Sequence, residues 1–227
     1  MAIDKVTPAA LETSTNQPNF RNIIINGDMS IAQRATSTAS ITSGGYHTVD
    51  RFYTGVTTAG TWTQSQSTTV PSGQGFATSL KMDCTTADGS LAAGDLIQVV
   101  QYIEGQNVQY LKYGTSSAQS LILSFWVRSN KTGTYIAELR NTDNTRTRSL
   151  SYTISSADTW EKKTITFGGD TNSGPNNDNG EGLRLTFWLA AGSTYSSGTL
   201  ATDWESTTQA NRAVGQVNLA DSTSNEW

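Results

Sequence analysis

Cysteine is almost missing from this chain. Cys84 stands alone, so no disulfide can close within the chain. In Leu80-Lys81-Met82-Asp83-Cys84 it reads as a small buried apolar side chain. Histidine is equally scarce. His47 is the only one, and no Gly-x-Ser-x-Gly sequence supplies a nucleophile, so a Ser-His-Asp hydrolase has nothing to build on. Charge is sparse at 15% of residues, with a net charge of −4 and a pI of about 4.9. The chain has no basic patch or stripe, which argues against a nucleic-acid partner. The densest cations, Arg140, Arg146 and Arg148, have Asp143 among them and read as a solvated hairpin edge kept from aggregating by charge. No apolar run approaches the length of a membrane span, so no membrane insertion is expected. Met1-Ala2-Ile3-Asp4-Lys5-Val6-Thr7-Pro8 lacks the apolar stretch of a signal peptide, so synthesis in a cytoplasm without ordinary secretion is expected. Runs of Ala, Leu, Glu and Lys that would build long helices are missing too.

What the chain does have is neutral polar residues, with Thr and aromatics that favour strands and Gly, Asn and Asp that favour turns. One strand is written twice. Leu121-Ile122-Leu123-Ser124-Phe125-Trp126-Val127-Arg128 and Leu183-Arg184-Leu185-Thr186-Phe187-Trp188-Leu189-Ala190 share the pattern Leu-x-Leu-Ser/Thr-Phe-Trp-Val/Leu. At period two, Leu121, Leu123, Phe125 and Val127 share one face, as do Leu183, Leu185, Phe187 and Leu189. The opposite faces mix Trp126 and Trp188 with polar groups and with Arg128 and Arg184.

Further strands are predicted near 61–70, 76–83, 95–104, 133–141, 147–155 and 160–168. The strand near 95–104 is apolar on both faces and is therefore central. Turn signals separate these strands, among them Pro71-Ser72-Gly73, Asp88-Gly89, Lys131-Thr132-Gly133 and Asp143-Asn144. A short strand ended by an Asn-Gly turn is predicted at Asn22-Ile23-Ile24-Ile25-Asn26-Gly27-Asp28. Residues 192–220 read as a long, partly ordered excursion anchored by Trp204. Short strands at this spacing make an all-β sandwich or barrel. Residues 1–20 differ: polar and punctuated by Pro8 and Pro18, they cannot bury enough surface to fold alone. They are either a loose leader or an arm that orders on a partner.

Trp126, Arg128, Arg184 and Trp188 are the candidate ligand-binding residues. The apolar faces of sugar rings stack on indole, and guanidinium groups hold hydroxyls or acidic groups bidentately. The same tryptophans would equally pack under a loop such as 192–220, or against another subunit. Trp160 reads as a core anchor. Glycan hydrolysis would need two carboxylates at a set separation. Asp50, Glu104, Glu138, Asp170 and Glu181 are candidates by elimination, and none has a catalytic context, so no enzyme is expected. Asp50-Arg51 either ties a loop to the sandwich or binds ligand. Asp170 to Glu181 is rich in oxygen ligands, but its spacing is not an EF-hand, and Asx-turns account for the composition equally well. No cofactor or metal is expected.

Asn22-Ile23-Ile24-Ile25-Asn26-Gly27-Asp28-Met29-Ser30-Ile31-Ala32-Gln33-Arg34, then Val49-Asp50-Arg51-Phe52, resembles the opening of tail-fibre and appendage proteins from phages of marine bacteria and cyanobacteria. Leu123 to Ser129, Ala157 to Lys162 and Asn177 to Leu183 keep that family's order, so the resemblance spans roughly residues 21–227. It implies a jelly-roll β-sandwich similar to carbohydrate-binding modules, carried on a virion as a structural protein, with host-surface glycan as ligand. It also implies that residues 1–20 are an arm docking onto other virion proteins, and that further copies of the chain are partners. The alternative is a capsid decoration or head-fibre protein with a structural role; a polysaccharide depolymerase is a third reading. The family continues past the position of Trp227 into one more strand, aromatic-x-Thr-Gly-Val-Gln-Leu-Glu. The resemblance therefore implies one further strand, from more of this chain or from a neighbour.

Overall fold

The computed structural model describes residues 22–227. The expected docking arm, residues 1–20, lies outside them. Among the described residues eleven strands are ordered as β1 Ser37–Ile41, β2 Phe52–Thr57, β3 Thr61–Ser67, β4 Ser79–Thr86, β5 Leu96–Glu104, β6 Leu121–Val127, β7 Gly133–Asn141, β8 Arg146–Ile154, β9 Glu161–Phe167, β10 Glu181–Ala191 and β11 Glu205–Ser206. Among the described residues one short α-helix, α1 Ser193–Ser196, opens the excursion after β10. All named pairings are antiparallel.

The strands make a jelly-roll sandwich because the chain keeps changing layers. One layer is a six-stranded sheet in the order β11-β8-β7-β10-β5-β2. The other is built of β1-β3-β4 and, separately, β6-β9. Strand β5 is paired on both sides and buried along most of its length, as its two apolar faces predict. The repeated strands sit in opposite layers, with their apolar faces inward. Phe125 of β6 meets Phe187 of β10 at 5.0 Å and Tyr152 of β8 at 5.1 Å, both edge-on. Leu183, Leu185, Phe187 and Leu189 are buried in the main core with Ile97, Val99, Tyr135 and Trp62. Cys84 is buried there as expected.

Two sequence expectations fail locally. Residues 22–28 form turns and no strand. Asn26 takes a left-handed φ of 58°, and its side chain bonds the main chain of Ile31 and the carbonyl of Asp50. Gln101 then satisfies Ile25 through both amide atoms, which replaces a strand ladder. Conversely, β1 forms within a Ser/Thr-rich stretch for which no strand is predicted, by pairing with β3.

The second layer is interrupted between β4 and β6. Residues 225–227 lie in this gap. Met82 and Trp227 exchange main-chain hydrogen bonds of 2.8 and 3.0 Å, and Cys84 N–H donates to the Asn225 carbonyl. On the other side, Asn130 Oδ1 accepts from Glu226 N–H at 2.9 Å, and the Ser129 hydroxyl donates to the Glu226 carbonyl. The Glu226 carboxylate pairs with Lys81 on β4 and with Arg128 just past β6. Burial alone would push the Glu226 carboxyl up. The bonds from Lys81 and Arg128 overcome that and hold it below the ordinary range.

Phe187→Ala is expected to cost about 3–5 kcal/mol, the range for emptying a large core site. Phe125→Ala should cost less, because its ring is only partly buried. Chemical denaturation of both variants checks this, and equal losses would contradict the difference in burial. Glu226 has a depressed folded-state pKa, so its contribution is complete above the unfolded value of about 4.3 and is lost as pH falls through the folded value. Melting temperature should therefore fall more steeply between about pH 5 and pH 3 in the wild type than in Glu226→Gln. Parallel slopes would show that Glu226 does not couple the two halves of the layer.

Candidate functional site

The structure separates the four candidate residues. Trp126 and Arg128 line a groove beside β6, Arg184 lies on the outer face of the six-stranded sheet, and Trp188 is fully buried. The burial of Trp188 corrects its reading as a surface platform. Residues 192–217 fold back over it. The Arg212 guanidinium lies 5.0 Å from the Trp188 ring, the Tyr195 ring packs at 5.3 Å, and Trp188 Nε1 donates to Glu138 at 3.1 Å. Ile136, Trp188 and Ala213 form a second small core on this outer face. Packing under the excursion was the other reading open to this tryptophan.

The groove occupies the interruption in the second layer. Its volume is about 310 Å³, and Leu80, Phe125, Trp126, Trp160, Phe76 and Trp227 dominate its lining. Trp160 is thus a half-buried groove wall and not a core anchor. Among the described residues β6 pairs only with β9, so its other edge faces this groove. The lining is mainly apolar. Arg128 is already held by Asp158 through its side chain and its carbonyl, and by Glu226.

The outer face of the six-stranded sheet is different. Where residues 192–217 do not cover it, a row of aromatic rings crosses the strands. Tyr46 and Tyr53 meet edge-on at 5.4 Å, and Tyr53 and Tyr102 at 5.7 Å. Guanidinium groups continue the row at both ends: Arg34 lies 5.4 Å from the Tyr46 ring and Arg184 4.9 Å from the Tyr102 ring. Register explains the alignment. Tyr102 stands opposite Arg184, and Arg184 opposite Arg140. Tyr46 is 40% exposed, while Tyr53, Tyr102, Arg184 and Arg140 are half-buried. Gly44 lies so close over Tyr53 that a Cβ there would sit 2.1 Å from the phenol oxygen, so a larger residue would displace the ring. Burial pushes the Tyr102 phenol up despite the cation above it, so its hydroxyl stays a donor at neutral pH.

The tyrosines were not singled out from sequence. In Phe52-Tyr53 and Gln101-Tyr102-Ile103 they sit among apolar residues and read as core; only strict alternation puts Phe52 and Ile103 inside and the tyrosines outside.

All five candidate carboxylates are ion-paired with an arginine. Asp50 pairs with Arg34 at 3.3 Å, Glu104 with Arg51 at 2.9 Å, Glu138 with Arg212 at 2.7 Å and Glu181 with Arg184 at 2.7 Å. Asp170 pairs with Arg146 inside the protein. Asp50 and Arg51 therefore both tie loops to the sandwich. In the loop after β9, Asp170 accepts from Asn172 N–H and Asp178 from Gly180 N–H, both at 2.9 Å, which are Asx-turns. Among the described residues no cluster of three or more His, Cys, Asp or Glu side chains could hold a metal. No helix among them is long and apolar enough to cross a membrane.

No protein-family model matches the chain, and no curated protein matches it. Among solved structures it is similar to the enzymatically active domain of bacteriophage CBA120 tailspike protein 4, at 16% identity and a TM-score of 0.42. That match covers 75% of this chain and 19% of the tailspike chain, so this chain spans about a fifth of that protein's length. It is also similar to the carbohydrate-binding module TmCBM61, solved with β-1,4-galactotriose, at 14% identity and a TM-score of 0.35. That match covers 76% of this chain and 90% of the module.

Glu138 decides which part of the outer face stays open. It is completely buried and accepts from Arg212 through two nitrogens, from Thr147 and from Trp188. Arg212→Met would strip that buried carboxylate of both guanidinium bonds, at a cost of about 3–5 kcal/mol. It should also loosen residues 192–217, seen as faster amide exchange there than in β5. Unchanged exchange would show that the excursion is held by its other contacts.

Proposed function

We propose that this chain is a non-catalytic, glycan-binding domain of a phage virion appendage. The row Tyr46–Tyr53–Tyr102 with guanidinium groups at its ends carries the reading. Aromatic rings on a rigid sheet offer apolar surface to sugar faces, and the neighbouring arginines and phenols offer hydrogen bonds to sugar hydroxyls. Binding without cleavage is supported by the carboxylates: glycan hydrolysis needs two free to act at a set separation, and each candidate is engaged by a guanidinium. The placement on a virion rests on the resemblance of residues 22–52 and of the later segments to appendage proteins. Attachment to the particle is assigned to residues 1–20, and host-surface glycan and further copies of the chain are the remaining partners proposed.

Replacing Tyr46 and Tyr102 together by Ala should leave the main core intact, because neither ring belongs to it. At about 0.5–1.5 kcal/mol per ring, binding to host cells should weaken about tenfold in the double variant. Cell binding and melting temperature are measured together. A well-folded double variant with unchanged binding would remove the glycan reading and leave a structural role on the particle.

A further inference from the structure

We propose that the tyrosine row ends in a subsite for the carboxylate of an acidic sugar, with Arg140 as its cation. The proposal rests on the glycan reading above and narrows it to one chemical class.

Arg140 and Arg184 stand directly opposite one another on β7 and β10, on the same outer face. Like charges placed this way repel. Arg184 is compensated, because its Nε and Nη2 grip the Glu181 carboxylate at 2.7 and 2.9 Å. Arg140 is not. Its only ion-pair partner among the described residues is Glu138, whose Oε1 lies 3.9 Å from Nε, beyond hydrogen-bond reach. That carboxylate already accepts from Arg212, Thr147 and Trp188, which takes up its four acceptor positions. Arg140 Nε has no hydrogen-bond partner. Its side chain is only 12% exposed, so water compensates it poorly. Burial, together with repulsion from Arg212 and Arg184, holds its pKa below the ordinary arginine value.

A half-buried guanidinium without a bonded counter-charge is costly unless something supplies one. In register, Arg140 stands beside Arg184, and Arg184 beside Tyr102. A sugar ring bound at the Tyr102–Arg184 end of the row would bring a ring carboxylate toward Arg140, whose planar fork binds carboxylates through paired N–H donors. The same anion would relieve the repulsion between the two arginines.

The test uses an array of uronate- and sialate-bearing oligosaccharides beside their carboxyl-reduced counterparts. The wild type should retain acidic glycans at least about tenfold better than the reduced forms, the scale of one charge-assisted hydrogen-bonded contact. Arg140→Gln should lose that preference, and Arg140→Lys should keep only part of it, because it keeps the charge without the fork. A merely structural arginine would lower the melting temperature when replaced. Here Arg140→Gln should melt at or above the wild-type temperature, because it removes a cation with no hydrogen-bonded counter-charge. Equal retention of acidic and reduced glycans, acidic retention that survives in Arg140→Gln, or a clear drop in its melting temperature would overturn the subsite. If retention still depends on Tyr102, the row itself stands. No retention of any glycan would overturn the subsite and the glycan reading together.

Discussion

The open part of the outer sheet face depends on one buried carboxylate. Glu138 points outward from the six-stranded sheet, yet it is fully buried because Arg212 reaches over from the excursion and binds it through two nitrogens. A carboxylate and a guanidinium can leave water only when the geometry is good and their remaining hydrogen-bonding capacity is filled. Thr147 and Trp188 complete that capacity on Glu138. The ion pair therefore clamps residues 192–217 onto one half of the outer face and leaves the tyrosine half open. It also sets the state of Arg140, whose nearest carboxylate is already saturated. Cover, exposure and the unsatisfied cation are three results of one interaction.

The other layer solves a different problem. Its two pieces, β1-β3-β4 and β6-β9, are joined by residues 225–227 and by the Glu226 side chain, which holds Lys81 and Arg128 from opposite banks. Where that join stops, strand edges face an apolar groove. Such edges present unpaired main-chain groups, and the apolar lining gives a sugar few groups to bond. Trp126, Trp160 and Trp227 line this groove, so indole rings mark the gap in the sheet, whereas the face assigned to ligand is lined with tyrosine.

Much of the architecture was legible from alternation and turns. The repeated strands, their apolar faces, the double-sided strand β5 and the order of β3 to β10 all follow from side-chain period and Gly/Asn/Asp punctuation. What period two cannot say is which outward face another segment will cover. Trp126 and Trp188 occupy equivalent places in equivalent strands, yet one lines a groove and the other is sealed under Tyr195 and Arg212. The difference comes from a contact fifty residues apart in sequence, Glu138 to Trp188, and a longer one, Glu138 to Arg212. Turn chemistry was opaque in the same way at 22–28, where Asn26 and Gln101 supply through side chains the bonds that a strand would have taken from a neighbour.

Arg184 shows how the two levels combine. From sequence it is a cation on the second face of a strand, a candidate for holding a ligand directly. In the fold it is engaged by Glu181 and lies over Tyr102, so its charge is balanced and its plane extends the aromatic row. Such a group offers a ligand stacking surface more than charge. The charge available to a ligand lies one strand further on, at Arg140, which in sequence was indistinguishable from the other arginines of a solvated hairpin. What distinguishes it is that its Nε has no hydrogen-bond partner and that its nearest carboxylate, Glu138, is already taken. Counting acceptors around a cation thus locates a ligand's charge where counting cations does not.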